Sequence, residues 1–261
     1  MPRVKMDVFR EHLIPLPPLP EQRRLAAILD KADAIRRKRR EALKFADEFL
    51  RAAFLHLFGD PVSNSKGLPR GTIRDLVSEV RYGSAAKADE SEGRYPMLRM
   101  NNLTYQGELD LTSLKYVDLE PAEEAKYLTQ RGDLLFNRTN SKELVGKTAV
   151  FDRDDPMAIA GYLIRVRTEN KASTHYISGY LNSAHGKKTL MSMCKSIVGM
   201  ANINAQELQD IPILLPPDAL QERYAAIVAR TRKTQATYRA HLNEANTLFD
   251  GLSHRAFQGT L

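Results

Sequence analysis

A duplication constrains this chain more than any other feature. The stretch "IPLPPLPEQRRLAAIL", residues 14–29, returns as "IPILLPPDALQERYAAIV", residues 211–228. Ile14-Pro15 corresponds to Ile211-Pro212 and Pro17-Pro18 to Pro216-Pro217. Gln22, Arg24, Ala26, Ala27 and Ile28 then match Gln221, Arg223, Ala225, Ala226 and Ile227 without a gap. Near the far ends of the two copies, Ala53-Phe54 matches Ala256-Phe257 four residues out of step, about one helical turn. A repeat that brackets a middle segment dictates the architecture, because whatever lies between must be held by two versions of one element.

The punctuation of each copy says what that element is. Proline fixes its own φ near a helical value and denies the helical region to the residue before it, so a proline run is a stiff, extended lead-in. Pro20 suits the first helical position, and Glu21 suits the positive helix start. In the second copy Asp218 and Gln221 have the spacing of a capping box. Each stretch therefore predicts a rigid lead-in to a long helix.

The helices carry an apolar seam at alternating spacings of three and four. In the first copy it visits Leu25, Ile28, Ala32, Ile35, Arg39, Ala42, Ala46, Phe49 and Ala53. In the second it visits Tyr224, Ile227, Thr231, Thr234, Tyr238, His241, Ala245, Leu248 and Leu252. This is the a/d pattern of a coiled coil, weak in the middle and strong at the ends. Leu25, Ile28, Ile35, Phe49, Tyr224, Ile227, Tyr238, Leu248 and Leu252 are the expected pairing and dimerisation positions. Helices of nearly forty residues, roughly 55 Å at 1.5 Å per residue, are spacers or dimerisation elements.

Composition bounds the rest. With 261 residues, 43% of them hydrophobic, the chain can bury a proper core. One cysteine, Cys194, excludes an internal disulfide framework and fits the reducing cytosol, so the expected location is cytoplasmic. No apolar run predicts a membrane span, and residues 1–20 lack the hydrophobic segment of a signal peptide. The net charge of +7 resides in the flanks, and much of it is Arg36-Arg37-Lys38-Arg39-Arg40. Five consecutive basic residues wrap more than a full helical turn, so they cannot form one binding stripe; the expectation is a solvated face with Arg39 forced toward the seam, and phosphate contact is the alternative.

Between the helices the periodicity becomes mixed. "LFGDPVSNSKGLPRG" is a turn-rich junction. Strands are expected at 73–81, 95–99, 133–137, 146–151 and 159–167, with Ile164 and Val166 on one face and Arg165 and Arg167 on the other. Helices are expected at 175–184 and 187–195. The fold class is α+β, with one globular domain between two long helices that pair as an antiparallel coiled coil. The expected boundaries are an N-terminal stub and proline lead-in (1–20), the first helix (21–58), the globular domain with its junctions (59–215) and the second helix (216–261).

Catalytic constellations are missing from the pattern. The six histidines have no short metal-ligand spacing, one cysteine cannot complete a zinc site, and no phosphate-cradling or nucleophile-elbow motif occurs. The expectation is no intrinsic catalysis, no metal and no cofactor. What the middle offers is loops dense in hydrogen-bonding side chains. Arg99, Asn101 and Asn102 follow a strand in "LRMNN". Arg138, Asn140, Ser141, Lys142 and Lys147 are strung along "FNRTNSKELVGK", and Asn202 sits in "GMANIN". Arg pairs bidentately with guanine and Asn with adenine, while Ser and Lys reach base edges or phosphates. Asn and Ser also favour turns and caps for local reasons, and Asn204 is assigned to capping.

Taken in order, these blocks resemble the specificity (S) subunit of type I restriction–modification systems along essentially the whole chain. "IPLPPLPEQRRLAAIL" resembles that family's lead-in to a conserved spacer helix, and "LFGDPVSNSKGLP" its bridge into a target-recognition domain. "YPMLRMNNL", "RGDLLFNRTNS" with "ELVGKTAVF", and "MANINAQELQDIPILLPP" resemble successive blocks of such a domain. The resemblance implies a non-catalytic subunit that reads one half of a gapped DNA sequence, with the helices as a ruler between halves. It implies as partners double-stranded DNA, methyltransferase (M) subunits that carry S-adenosylmethionine and methylate adenine, and endonuclease/translocase (R) subunits. Where the family pattern has two recognition domains, one is present here. Two copies pairing about a twofold axis would read a gapped palindrome. The alternative is a truncated helical adaptor that docks M subunits without reading DNA.

Overall fold

The computed structural model describes residues 16–140, 146–170, 172–194 and 201–261. Two long helices dominate it: α1, Leu19–Phe58, of 40 residues, and the last helix, Asp218–Gln258, of 41. Between them lie β1 (Arg70–Thr72), β2 (Glu79–Tyr82), β3 (Tyr95–Leu98), β4 (Lys115–Val117), α2 (Pro121–Tyr127), β5 (Leu134–Asn137) and β6 (Thr139–Asn140). Then come β7 (Thr148–Val150), β8 (Ala158–Ile159), β9 (Leu163–Arg167), α3 (Ala172–Leu181), α4 (Ala184–Met193), β10 (Ala201–Asn202), α5 (Ala205–Gln209) and β11 (Pro212–Leu214). The last helix is α6. The chain forms two compact units, one of residues up to Asp47 and from Thr231 onward, the other Glu48–Arg230.

The duplicated lead-ins fold alike. Glu21 and Gln22 N–H both donate to the Pro18 carbonyl, at 2.9 and 3.0 Å, as Leu220 and Gln221 N–H do to Pro217, at 3.0 and 3.3 Å. The Gln22 side-chain Nε2 donates to Pro17 O at 2.8 Å, and Gln221 Nε2 to Pro216 O at 2.8 Å. This corrects the expected capping box. Asp218 is itself the first helical residue, and the Gln221 amide reaches past it to a carbonyl that the tightened first turn leaves without a backbone donor. Likewise α1 begins at Leu19, which puts Pro20 second.

The seam also differs from expectation. Leu25, Ile28, Ile227, Tyr238 and Leu252 are half-buried and Tyr224 is buried, but Ile35, Phe49 and Leu248 are exposed, Phe49 by 54%. The buried positions of α1 are Ala32, Leu50, Phe54, Leu57 and Phe58. The cause is geometric. A strict 3,4 spacing drifts by about 20° per heptad on a straight helix of 3.6 residues per turn. By the fourth heptad the seam at Phe49 has rotated outward by about 60°, and Leu50 and Phe54 have taken its place. Within the first unit, Arg24 Nη2 donates to Leu261 O at 2.7 Å, Arg36 lies 3.4 Å over the Phe249 ring, and Gln235 Nε2 donates to Asp47 at 2.8 Å. Partner numbers fall as residue numbers rise, so the two segments run antiparallel. Arg39, expected at the seam, is half-buried with its guanidinium 5.8 Å from the Tyr238 ring.

In the second unit the central sheet is ordered β2-β9-β5-β7, all antiparallel. Alternation on β5 and β9 sends Leu134, Phe136, Ile164 and Val166 to one face, where they meet α3 (Tyr176, Ile177, Tyr180, Leu181) and the helix ends at Phe54, Phe58 and Tyr224. Phe54 stacks on Tyr176 at 5.7 Å and meets Tyr224 edge-on at 5.5 Å, and Phe58 meets Tyr224 at 5.5 Å. Each such ring contributes about 1.5–3 kcal/mol through burial alone. The opposite face of β9 holds Arg165 and Arg167, as the alternation predicts. Arg165 Nη2 donates to Glu79 at 2.8 Å and Nη1 to Leu128 O at 2.6 Å, while Arg167 Nε donates to Asp133 at 2.8 Å. A second sheet, β4-β3-β8, has β3 and β8 parallel, and β1 pairs with β11.

Two expected strands are each divided. Residues 73–81 split into a 3-10 turn, Ile73–Leu76, and β2, because Asp75 folds back to accept from Thr72 N–H at 2.7 Å. Residues 159–167 split at a tight turn in which Leu163 N–H donates to Ala160 O at 2.8 Å, so β8 and β9 belong to different sheets. Among the described residues no helix is long and apolar enough to cross a membrane, and no group of His, Cys, Asp and Glu is arranged to hold a metal.

Candidate nucleic-acid interface

The register brings several chain turns to one edge. β2 pairs with β9 so that Tyr82 faces Ile164, and β5 pairs with β9 so that Asn137 faces Leu163. Leu98 faces Ile159 in the parallel β3–β8 pair, so Arg99 and the 160–162 turn leave their strands at the same end. The ends of β2, β3, β5 and β8 therefore all converge on the start of β9. Arg138 follows β5 there. Its N–H donates to Tyr162 O at 3.0 Å, its carbonyl accepts from Ile203 N–H at 2.9 Å, and its guanidinium lies 4.8 Å from the Tyr82 ring.

The β6–β10 pairing joins two of the expected loops. Thr139 faces Asn202 and Asn140 faces Ala201, and Thr139 Oγ1 donates to Asn202 Oδ1 at 3.1 Å. The Tyr82 hydroxyl accepts from Ala205 N–H at 2.9 Å, so α5 is tied to the same edge. Asn204 caps α5 in a complete box with Glu207, as expected. Tyr82 and Tyr162 are both exposed, Tyr162 by 52%; the Tyr82 ring lies beside the Arg138 guanidinium, and Tyr162 joins the edge through its backbone carbonyl. A planar guanidinium beside aromatic rings can hydrogen-bond a base edge or stack on it.

The expected residues fare unequally. Arg138 and Asn202 meet, and the backbone of Asn140 joins them. Ser141 and Lys142 lie outside the described residues. Asn101 is exposed. Arg99 is half-buried, with Nη2 3.4 Å from Ser113 O, and the Nε atoms of Arg99 and Arg138 are buried without a hydrogen bond. Asn102 is corrected: only 2% exposed, it accepts from Arg99 N–H at 2.9 Å and donates to Asp110 O and Ser113 O at 2.8 and 3.0 Å. Its amide builds the 99–113 loop and has nothing to offer a base.

Lys147 stands on the other shoulder of the β5–β7 hairpin, where Asn137 N–H donates to Lys147 O at 2.9 Å. Its ammonium lies 5.2 Å from the Tyr105 ring, and burial lowers its pKa. Sequence reasoning missed Tyr82, Tyr162 and Lys187. The two tyrosines sit in ordinary strand and turn contexts, and only the register reveals them. Lys187, on α4, donates to Gly146 O at 2.9 Å, and burial, then the charge of Lys147, pushes its pKa down to about 8.

Fold and edge together define a class: a mixed helix–strand recognition module carried between two long helices. Comparison with known proteins gives the family. Residues 72–246, well over half the chain, match the Type I restriction modification DNA specificity domain, and the chain belongs to that family. The EcoKI specificity subunit of Escherichia coli is 25% identical over 270 residues, covering 95% of this chain and 57% of that one. The MjaX specificity subunit of Methanocaldococcus jannaschii is 27% identical over 188 residues, covering 71% and 44%. The chain thus spans about half the length of the relatives it matches. Among solved structures, the HsdS subunit of Thermoanaerobacter tengcongensis aligns over 100% of this chain and 64% of its own, with a TM-score of 0.52 and 22% identity. The S subunit of M. genitalium aligns over 92% and 61%, with a TM-score of 0.59 and 16% identity. The fold is therefore shared with type I S subunits, and membership is in a specificity family rather than a catalytic one.

Proposed function

We propose that this protein is a sequence-specific DNA-binding specificity subunit that directs type I methyltransferase and endonuclease subunits to a gapped, bipartite target. The domain at 59–215 reads one half-site, and α1 and α6 pair as an antiparallel coiled-coil spacer that docks the M subunits; R subunits join that assembly. S-adenosylmethionine belongs to the M subunits, and the complex works in the cytoplasm. Two copies associate as a homodimer, so the two half-sites form a palindrome.

The observation that carries this reading is the convergence of Arg138, Asn202, Tyr82 and Tyr162 on one sheet edge, with Arg99 and Lys147 on adjoining turns. Hydrogen-bonding and cationic groups fixed by strand register, beside exposed rings, suit direct readout backed by phosphate contacts. The antiparallel contacts from Arg24–Leu261 to Asp47–Gln235 support the spacer.

Long-read methylation mapping in cells expressing the chain with its M subunit tests the proposal. A gapped palindromic motif is expected. An asymmetric motif would replace the homodimer with a second reader chain. Absence of any motif, beside an M subunit that methylates with a full-length S subunit, would refute DNA reading in favour of the adaptor.

A further inference from the structure

Gly146, two residues before β7, has φ of +78°, a conformation glycine adopts without strain. It lies so close to α4 that a Cβ there would come within 2.6 Å of Leu190 Cδ1. This approach delivers the Gly146 carbonyl to the Lys187 ammonium. The same carbonyl accepts from Thr148 Oγ1 at 3.1 Å, and Asn182 Nδ2 pins the strand by donating to Thr148 O at 2.9 Å. Lys147, the next residue, carries a second ammonium, 5.2 Å from the Tyr105 ring. Among the described residues neither lysine pairs with a carboxylate.

With Lys187 held at the Gly146 carbonyl and Lys147 following that glycine, two partly desolvated ammonium groups on one short stretch are costly unless an anion joins them. Lys187 has three N–H donors, and among the described residues one is used. The recess is rigid, held by Ser183 capping α4, where Gly186 N–H donates to Ser183 Oγ at 3.0 Å, and by the Asn182 bond. It lies at the hairpin shoulder opposite Arg138.

We infer that Lys187 and Lys147 form a seat for one phosphate of the DNA backbone, fixing the register of the hairpin on the duplex. The inference rests on the DNA-reading function proposed above and adds a residue from α4 that the hairpin sequence does not reveal. The phosphate supplies a counter-charge that none of the described residues provides, and it accepts the remaining donors. Its contact carries no base information, so it contributes affinity and salt dependence but no sequence preference.

The test is fluorescence anisotropy of the full chain on a labelled 24-base-pair duplex of arbitrary sequence, across a salt series. Each phosphate contact contributes about 0.9 to the slope of log affinity against log salt. The double variant Lys187→Met/Lys147→Met should lower the slope by about 0.9, the share of one phosphate, and weaken binding roughly five- to tenfold near 0.1 M salt, with each single variant giving part of that change. Lys187→Arg should keep the slope. Should Lys187→Met fail to fold, Lys147→Met, which removes no hydrogen bond, decides alone. Wild-type slopes in the methionine variants, with wild type still binding duplex, would overturn the phosphate seat and leave the DNA reading standing. Failure of wild type to bind duplex, alone and with its M subunit, would overturn both.

Discussion

Lys187→Met should stabilise the folded protein at neutral pH while weakening DNA binding, and the size of the gain follows from the structure. The folded environment lowers the ammonium's pKa from 10.5 to about 8. At 1.36 kcal/mol per unit, that is about 3 kcal/mol against the charged form. Removing the charge recovers this amount but sacrifices a hydrogen bond to Gly146 O, worth about 1.5 kcal/mol for a charged donor. The carbonyl is not orphaned, because Thr148 Oγ1 still donates to it. The expected net gain at pH 7 is about 1–2 kcal/mol. Between pH 8 and 10.5 the unfolded chain holds a proton on Lys187 that the folded chain has released, so wild-type stability rises with pH there. The methionine variant has no such proton. At pH 9.5 the wild-type penalty has fallen to about 1.4 kcal/mol, and the two proteins should be equally stable within error. Urea unfolding followed by circular dichroism at pH 7 and pH 9.5 measures both. A variant destabilised equally at both values would refute the reasoning, since it would mean that the ammonium is fully solvated in the folded state.

Three further outcomes are expected. Arg138→Ala removes the cation beside Tyr82 and should abolish the methylated motif while costing under about 1 kcal/mol of stability, because its backbone bonds remain; mapping in cells and urea unfolding separate the two effects. Tyr224→Ala takes a ring from the cluster with Phe54 and Phe58 and should cost about 3–5 kcal/mol, read as a shift of the urea midpoint. For Glu79, burial pushes the carboxyl up, but hydrogen bonds from Arg81 and Arg165 and the nearby Arg167 charge outweigh it, so its pKa lies below the ordinary value. Glu79→Gln should then cost about 3 kcal/mol at pH 7 by leaving Arg165 short of a partner; the difference should shrink as pH falls below 4.5 and wild-type Glu79 protonates, which unfolding at pH 3–7 would show.

What the sequence revealed depended on how locally each feature is determined. The long helices were legible because proline, acid and glutamine act within one turn. β3, β5 and β7 were legible from short apolar runs. The 159–167 strand was not, since the bond between Leu163 N–H and Ala160 O that divides it leaves no composition signal. The seam position Phe49 failed because heptad counting assumes a supercoil, while the buried residues Ala32, Leu50, Phe54 and Leu57 follow the straight-helix period. In the site, Arg138 and Asn202 were legible as polar loop residues. Asn102 was misread because an asparagine that builds a loop looks on paper like one that reads a base. Tyr82, Tyr162 and Lys187 could not be found without register, since they reach the hairpin from strands and a helix far apart in the chain.

The two proline lead-ins show how far local encoding goes. Gln22 and Gln221 make the same 2.8 Å bond to the carbonyl five residues back, yet their surroundings differ. Gln221 is 1% exposed within the second unit, whereas Gln22 is half-exposed, with Leu16 and Leu19 open to solvent. A conformation imposed by packing would not survive such a change of surroundings. The joint must therefore be set by its own few residues: prolines fixing φ, and a glutamine amide supplying the donor that the tightened first turn denies to the carbonyl five residues back. A joint of this kind delivers its helix at one angle whatever packs beside it. That property suits the spacer role proposed above, because a spacing set by helix length would not change with the domain attached to it.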